Sequence, residues 1–325
     1  MIFCSRINLR GLVLLLIVSS IMLLFGCTTD KNSNVVRIAY LPSSSGLPLF
    51  VGVEKGYFKE AGIDIELLKF GSTNDALNAV LAGRADGTPG FGISSFCAIE
   101  ASSPGSLKIY MPCAEDLNNY ANNLLVPTNS NINSIDQLEG KKVGTFTSST
   151  QILYLNLMMT KVLPNGKKWE IIQVDSKILL QALVANQFDA LFAIEPDGTK
   201  AVKEGIARIL VANPRCKYLF SPFPAGANSF SSDFIKSNPE LADKVAKVFF
   251  KAIKDIRDNP TEARIILSKY AHIDTAIAKE VGLYTWWLPG EENWEAVQRL
   301  SDLLSDTKLI TSRIQIKDMV YVPKN

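Results

Sequence analysis

Ala79-Val80-Leu81-Ala82-Gly83-Arg84-Ala85-Asp86 and Ala182-Leu183-Val184-Ala185-Asn186-Gln187-Phe188-Asp189 stand 103 residues apart and read as one pattern. Each block closes a helix and opens a strand. Gly83 and Asn186 occupy the turn between, and these residue types best tolerate the left-handed conformation that ends a helix. Ser72-Thr73 and Asp175-Ser176 lie at the helix starts, where side-chain oxygens cap free backbone N–H groups. The repeat predicts two α/β lobes of related topology.

Working outward, β-rich runs alternate with helical ones. Strands are expected over Val35 to Tyr40, Ile63 to Leu68 and Asp86 to Phe91, with helices over Leu49 to Tyr57, Asn74 to Leu81 and Ser95 to Ala101. A second series starts near Leu124, with strands Lys142 to Phe146, Glu170 to Val174, Ala190 to Ile194 and Ala207 to Val211. Its helices are Gln151 to Val162 and Ile178 to Ala185. Such alternation argues for βαβ units and parallel sheets. Pro214, Pro222, Pro224 and Gly226 then break the pattern, and everything after Pro239 reads as helix. There, Leu241, Val245, Val248-Phe249, Ala252-Ile253 and Ile256 form an apolar stripe at helical spacing.

The chain begins with a secretory signature. Arg6 and Arg10 precede Gly11 to Phe25, apolar apart from Ser19 and Ser20, a run shorter than the roughly 20 residues of a membrane span. It stops at Leu24-Phe25-Gly26-Cys27, before the polar stretch Thr28 to Asn34. The four residues resemble the bacterial lipoprotein box, which implies a signal peptide over 1–26, lipidation of Cys27 and a tether over 27–34. An ordinary secretory signal with an incidental cysteine is the other reading.

Of 325 residues, 47% are apolar and 20% charged, which excludes a disordered chain. Lysines and arginines number 34 against 32 acids. Without Arg6 and Arg10 the two signs balance, so nothing draws the protein to nucleic acid. His272 is the sole histidine, and Cys97, Cys113 and Cys216 form no C-x-x-C, so neither a metal site nor a cofactor is expected. One disulfide among these three cysteines and three buried thiols are both compatible with the spacing. His272, between two helices, reads as a surface or capping residue.

In open parallel sheets, ligands bind beyond the carboxyl ends of the strands, where loops enter helix N-termini. Here those loops are Pro42 to Gly46, Gly71 to Thr73, Gly90 to Ser95, Thr145 to Thr150, Asp175-Ser176 and Glu195 to Asp197. All are rich in small or polar residues. Their hydroxyls and free N–H groups suit a small oxyanion without any arginine, and equally suit plain capping. Lys177 is the nearest cation. Tyr40, Phe91, Phe146 and Phe192 are candidates for stacking on a flat ligand or for the core. Glu195, before Pro196, serves either a ligand N–H or the helix dipole. No G-x-S-x-G, P-loop or H-E-x-x-H motif is present, and no cysteine has a plausible histidine partner, so an enzyme is not expected.

Ile38-Ala39-Tyr40 and Gly52-Val53-Glu54-Lys55-Gly56-Tyr57-Phe58-Lys59-Glu60-Ala61-Gly62-Ile63-Asp64-Ile65-Glu66 resemble the opening of substrate-binding proteins of ABC importers in the nitrate, sulfonate, taurine and thiamine-precursor group. Ala82-Gly83-Arg84-Ala85-Asp86, Ile135 to Val143 and Ala193-Ile194-Glu195-Pro196 match further segments in order, so the likeness covers about Val35 to Val211. It implies an α/β fold forming a two-lobed periplasmic-binding clamp. Each lobe is a mainly parallel sheet flanked by helices, with C-terminal helices packed on the first. The expected division is 35–120 with 225–325 for lobe 1 and 121–224 for lobe 2.

By position, the resemblance places Ser44, Ser45, Gly46, Leu47, Gly71, Ser72, Thr73, Ser94, Thr147, Ser148, Ser149 and Glu195 around the ligand. It further implies a monomer, held outside the cytoplasm by a lipid on Cys27, that captures a small organic or oxyanion solute and delivers it to a permease and ATPase. Many relatives carry Trp where this chain has Ile194, and the cysteine-rich motif of the pyrimidine-synthesising members is absent. Ligand identity therefore does not transfer. An enzyme of the pyrimidine-precursor-synthase type, or a receptor presenting ligand to a membrane sensor, are the alternative readings.

Overall fold

The computed structural model describes residues 34–163, 165 and 168–324. The expected signal peptide, Cys27 and the tether up to Ser33 lie outside them. Two sheets are built. The first has six strands in the order β11-β4-β10-β3-β1-β2, formed by β1 (Val35–Tyr40), β2 (Asp64–Lys69), β3 (Gly87–Phe91), β4 (Leu107–Glu115), β10 (Phe223–Ser231) and β11 (Thr285–Trp286). The second has five in the order β7-β6-β8-β5-β9, from β5 (Asn122–Pro127), β6 (Lys142–Phe146), β7 (Glu170–Val174), β8 (Ala190–Ile194) and β9 (Ala207–Ala212).

Each sheet is mixed rather than mainly parallel: parallel pairing holds one side of it and antiparallel pairing the other. β1 runs parallel to β2 and β3, and β6 to β7 and β8. The 103-residue repeat is visible in the turns and in the bonds that hold them. Gly83 and Asn186 have φ of 69° and 55°. Asp86 accepts the Arg37 N–H and Asp189 the Lys142 N–H, each at 2.8 Å, so each copy ties its third strand to its first. Ser72 and Asp175 cap through their side chains, accepting from the N–H groups of Asp75 and Lys177.

Helices of seven residues or more are α1 (Leu47–Glu54), α2 (Thr73–Leu81), α3 (Ile93–Ser102), α4 (Ser149–Val162), α5 (Asp197–Lys203), α6 (Pro239–Asp258), α7 (Pro260–Ala271) and α8 (Trp294–Asp306). The apolar stripe of α6 is buried from Ala242 to Ile256 and packs on α1 of the first lobe. Within it, Phe249 meets Phe58 and Tyr110 edge-on at 6.0 and 6.2 Å. Burying such a ring contributes about 1.5–3 kcal/mol. The α8 helix packs on α3 and β10.

Two further expectations need correction. The proline-rich segment that seemed to end the pattern becomes β10, a nine-residue strand antiparallel to both β3 and β4. Pro224 is tolerated because the register shifts between Pro224 and Gly226, where the ladder needs no donor. The region after Pro239 is not wholly helical, since Thr285–Trp286 pairs with β4 at the sheet edge.

The chain crosses between the sheets twice, from β4 to β5 and from β9 back to β10. A buried polar network joins the crossings. Glu115 Oε1 accepts from Ala121 N and Arg215 Nη2, and its Oε2 from Asn122 Nδ2, all at 2.8 Å. Asn213 Nδ2 donates to the Asp116 carbonyl at 2.7 Å. The network lies where a hinge between the two sheets would act.

Candidate functional site

Loops from the carboxyl ends of both sets of parallel strands meet between the lobes, where two cavities share a wall of Leu41, Ser43, Phe146 and Ile194. The inner one, about 40 Å³, has room for a few water-sized groups. Ser43, Ser45 and Thr73 face it from the first lobe, and Ser148, Thr150 and Gln151 from the second. Arg215 and Tyr284 also line it. Three helix starts converge there, those of α2 at Thr73, α3 after Gly92 and α4 after Ser148. Their free N–H groups and dipoles favour negative charge.

Several polar atoms around the inner chamber have no hydrogen-bond partner among the described residues. They are Ser148 Oγ, Gln151 Oε1 and Arg215 Nε. Buried polar groups are rarely left so, and a ligand would satisfy them. Burial alone would lower the Arg215 pKa, but Glu115, Tyr284 and Tyr154 together hold the guanidinium above its ordinary value. It also lies over the Tyr154 and Phe223 rings, 5.3 and 5.6 Å from their centroids.

The lobes touch across the cleft. Ser95 Oγ is 2.6 Å from Thr150 Oγ1 and 2.8 Å from Ser149 Oγ, and the Ser149 N–H donates to Asn74 Oδ1 at 3.2 Å. Ser176 Oγ donates to the Gly71 carbonyl at 3.3 Å, and Ser44 N to the Glu195 carbonyl at 3.2 Å.

The residues expected around the ligand therefore divide by position. Ser45, Thr73 and Ser148 line the inner chamber, while Gly71 and Glu195 line the outer. Ser44 and Ser149 bridge the lobes. Ser94 is buried beside Tyr154. Leu47 is wholly buried in the core at the start of α1, and a Cβ on Gly46 would lie 3.2 Å from the Phe50 ring. Ser72 bonds to Asp75, and Thr147 Oγ1 donates to the Val174 carbonyl within its own lobe, so both serve local structure.

Glu195 points its carboxylate at its own helix. It accepts from Thr199 N at 3.0 Å and Thr199 Oγ1 at 2.9 Å, while burial pushes its pKa up to about 7. Of the aromatic candidates, Phe91 and Phe146 reach the inner chamber. Tyr40 packs edge-on against Phe50 and Phe192 lies in the second-lobe core. His272 caps the end of α7 with φ 53° at the rim of the outer cavity. Cys97, Cys113 and Cys216 are buried free thiols, the first two pushed up by burial to about 12.

Sequence reasoning missed Arg215, Tyr284, Lys69 and Lys200. An arginine on a five-residue helix after Pro214 reads as surface. Its partner Glu115 lies 100 positions away, and no local signal joins them.

Two lobes on crossing strands, closing over a hydroxyl-lined chamber, define the periplasmic-binding class of fold. Residues 44–263 match the family model described as NMT1/THI5 like, and the chain belongs to that family. A Bacillus subtilis (strain 168) protein provisionally named an aliphatic sulfonates-binding protein is 27% identical, aligning over 96% of this chain and 94% of its own. Among solved structures, the alkanesulfonate-binding protein SsuA of Xanthomonas axonopodis pv. citri, bound to MOPS, superposes with a TM-score of 0.72 at 18% identity. The match covers 89% of this chain and 98% of that one. The periplasmic nitrate-binding protein NrtA of Synechocystis PCC 6803 gives 0.73 at 14%, covering 88% and 84%. These likenesses establish the fold.

Proposed function

We propose that the protein is the extracytoplasmic solute-binding component of an ABC importer. It captures a small organic or oxyanion solute, of the sulfonate, nitrate or heterocyclic-precursor type, and delivers it to a permease. The observation that carries this reading is the set of unpartnered buried polar atoms, Ser148 Oγ, Gln151 Oε1 and Arg215 Nε, around a chamber closed by both lobes. A solute bonding to both lobes favours the closed state by its differential contacts. Relatives named for sulfonate and nitrate binding support the same class.

Binding without chemistry accords with the side chains present. The sole imidazole, His272, caps a helix at the rim, and the buried thiols of Cys97 and Cys113 are held protonated. Anchoring through a lipid on Cys27, action as a monomer, and partnership with permease and ATPase subunits belong to the same proposal.

A thermal-shift screen of the purified protein against alkanesulfonates, nitrate, pyrimidines and small aromatic acids tests it. A ligand at about 100 times its Kd adds about 2.7 kcal/mol to stability. A shift with one class, diminished in Ser148→Ala and Gln151→Ala, is expected. No shift across the panel, from folded protein free of co-purified solute, would overturn the reading.

A further inference from the structure

Beyond the shared wall of Leu41, Phe146 and Ile194 lies the outer chamber, about 540 Å³, whose chemistry differs from that of the inner one. Lys69 enters it from the end of β2 in the first lobe, and Lys177 and Lys200 from the second. No ion pair within 4.0 Å is found for any of the three among the described residues, whereas Lys203, just outside, pairs with Glu280. Three acids lie nearby, and none of them pairs with these lysines within 4.0 Å among the described residues. Glu195 is capped by Thr199, Asp197 lies near Lys200, and Asp175 accepts the Lys177 backbone N–H. Lys69 and Lys177, both exposed, thus line one cavity from opposite lobes. Like charges brought together on closure repel, unless an anion sits between them.

We propose that the solute is two-headed, with a compact oxyanion group in the inner chamber and a second anionic group in the outer, held between Lys69 and Lys177. A short apolar spacer crosses the neck. The inference rests on the reading of this cleft as the solute site and adds the class of solute: an elongated dianion such as an ω-sulfoalkanoate or a dicarboxylate. Closure is then coupled to the distal charge, because only a solute with both heads neutralises the lysines that closing brings together.

The test is titration calorimetry at low salt with matched pairs of two to five carbons, alkanesulfonate against ω-sulfoalkanoate and monocarboxylate against dicarboxylate. The dianion of at least one pair is expected to bind ten-fold or more tightly than its mono-anion. In Lys69→Gln/Lys177→Gln that preference should collapse, with mono-anion affinity changing less than three-fold. Equal affinities within every pair, or a preference surviving the double substitution, would overturn the second head while leaving the solute cleft intact. If no member of either series binds, the two-headed solute is overturned, while the reading of the cleft as a solute site stands or falls by the wider thermal-shift panel.

Discussion

Arg215 Nη2 donates to Glu115 Oε1 at 2.8 Å with both side chains withdrawn from water, and this contact joins the two passages of the chain between the lobes. Such a pair is costly to break and cheap to replace. Removing one partner leaves the other charged and unpaired in a low-dielectric interior, a loss of about 3–5 kcal/mol, whereas an apolar pair of similar volume is often neutral. Glu115→Ala and Arg215→Met are each expected to lower the urea midpoint substantially. Glu115→Leu/Arg215→Met should lose far less than the two single losses combined. A double-mutant cycle in urea checks this, and strict additivity would show that the pair is not a unit.

Glu195 gives stability a specific pH dependence. Burial raises its pKa from 4.5 to about 7, so the folded protein holds this proton more tightly than the unfolded chain. Its stabilising contribution is therefore complete below about pH 4.5 and is lost as pH rises through 7. The limit is roughly 3 kcal/mol, at about 1.4 kcal/mol for each tenfold in proton affinity. Asp197, raised by burial to about 6, acts in an overlapping window, so the difference between wild type and Glu195→Gln isolates the effect. That difference should move in favour of the variant between pH 4.5 and 7 and flatten above. Thermal melts across this range measure it, and parallel curves would refute the assignment.

What the sequence disclosed follows from what is local. β1, β6, β7 and β8 begin and end where short β-rich runs place them. The repeat announced its turns through Gly83 and Asn186. β10 was illegible because Pro224 and Gly226 argue against a strand, and only pairing with β3 and β4, more than a hundred residues earlier, overrides them. The cleft loops were legible as hydroxyl-rich helix starts, but not which hydroxyl caps and which faces the ligand. Ser72 and Ser148 hold equivalent N-cap positions, yet one bonds to Asp75 and the other is left free toward the cavity. Lys69 and Lys200 look like ordinary solvent-facing charges until the lobes are brought together.

The two copies of the repeat should differ in strength at their shared aspartate. Asp86 also engages Arg37 through its side chain, Nη2 to Oδ1 at 2.7 Å and Nε to Oδ2 at 3.2 Å, while the corresponding Asp189 bonds the Lys142 backbone alone. Both aspartates accept through a carboxylate, and Asp86 alone adds the two-pronged Arg37 pair, a partly exposed contact that contributes up to about 1 kcal/mol. Asp86→Asn is accordingly expected to destabilise more than Asp189→Asn in chemical denaturation. The reverse order would mean that the Arg37 fork contributes nothing beyond its partly exposed surface pairing.

Closure itself depends on a missing side chain. Gly92 precedes α3 in the first lobe, and a Cβ there would stand 2.2 Å from Thr150 Cγ2 and 2.4 Å from Thr150 Oγ1 in the second. Its φ of −62° is one that any residue adopts, so Gly92→Ala strains nothing within its own lobe. The clash exists only when the lobes meet. Overpacking of this kind costs about 1–3 kcal/mol, and here that cost falls on the closed state alone. Gly92→Ala should therefore bind solute about ten-fold or more weakly and lose the contraction that ligand produces in small-angle scattering. Thr150→Ala in the same background removes the two nearest atoms and should restore part of both. Should Gly92→Ala bind and contract like wild type, the Gly92–Thr150 approach is not part of closing, and the hinge must bring the lobes together along another path.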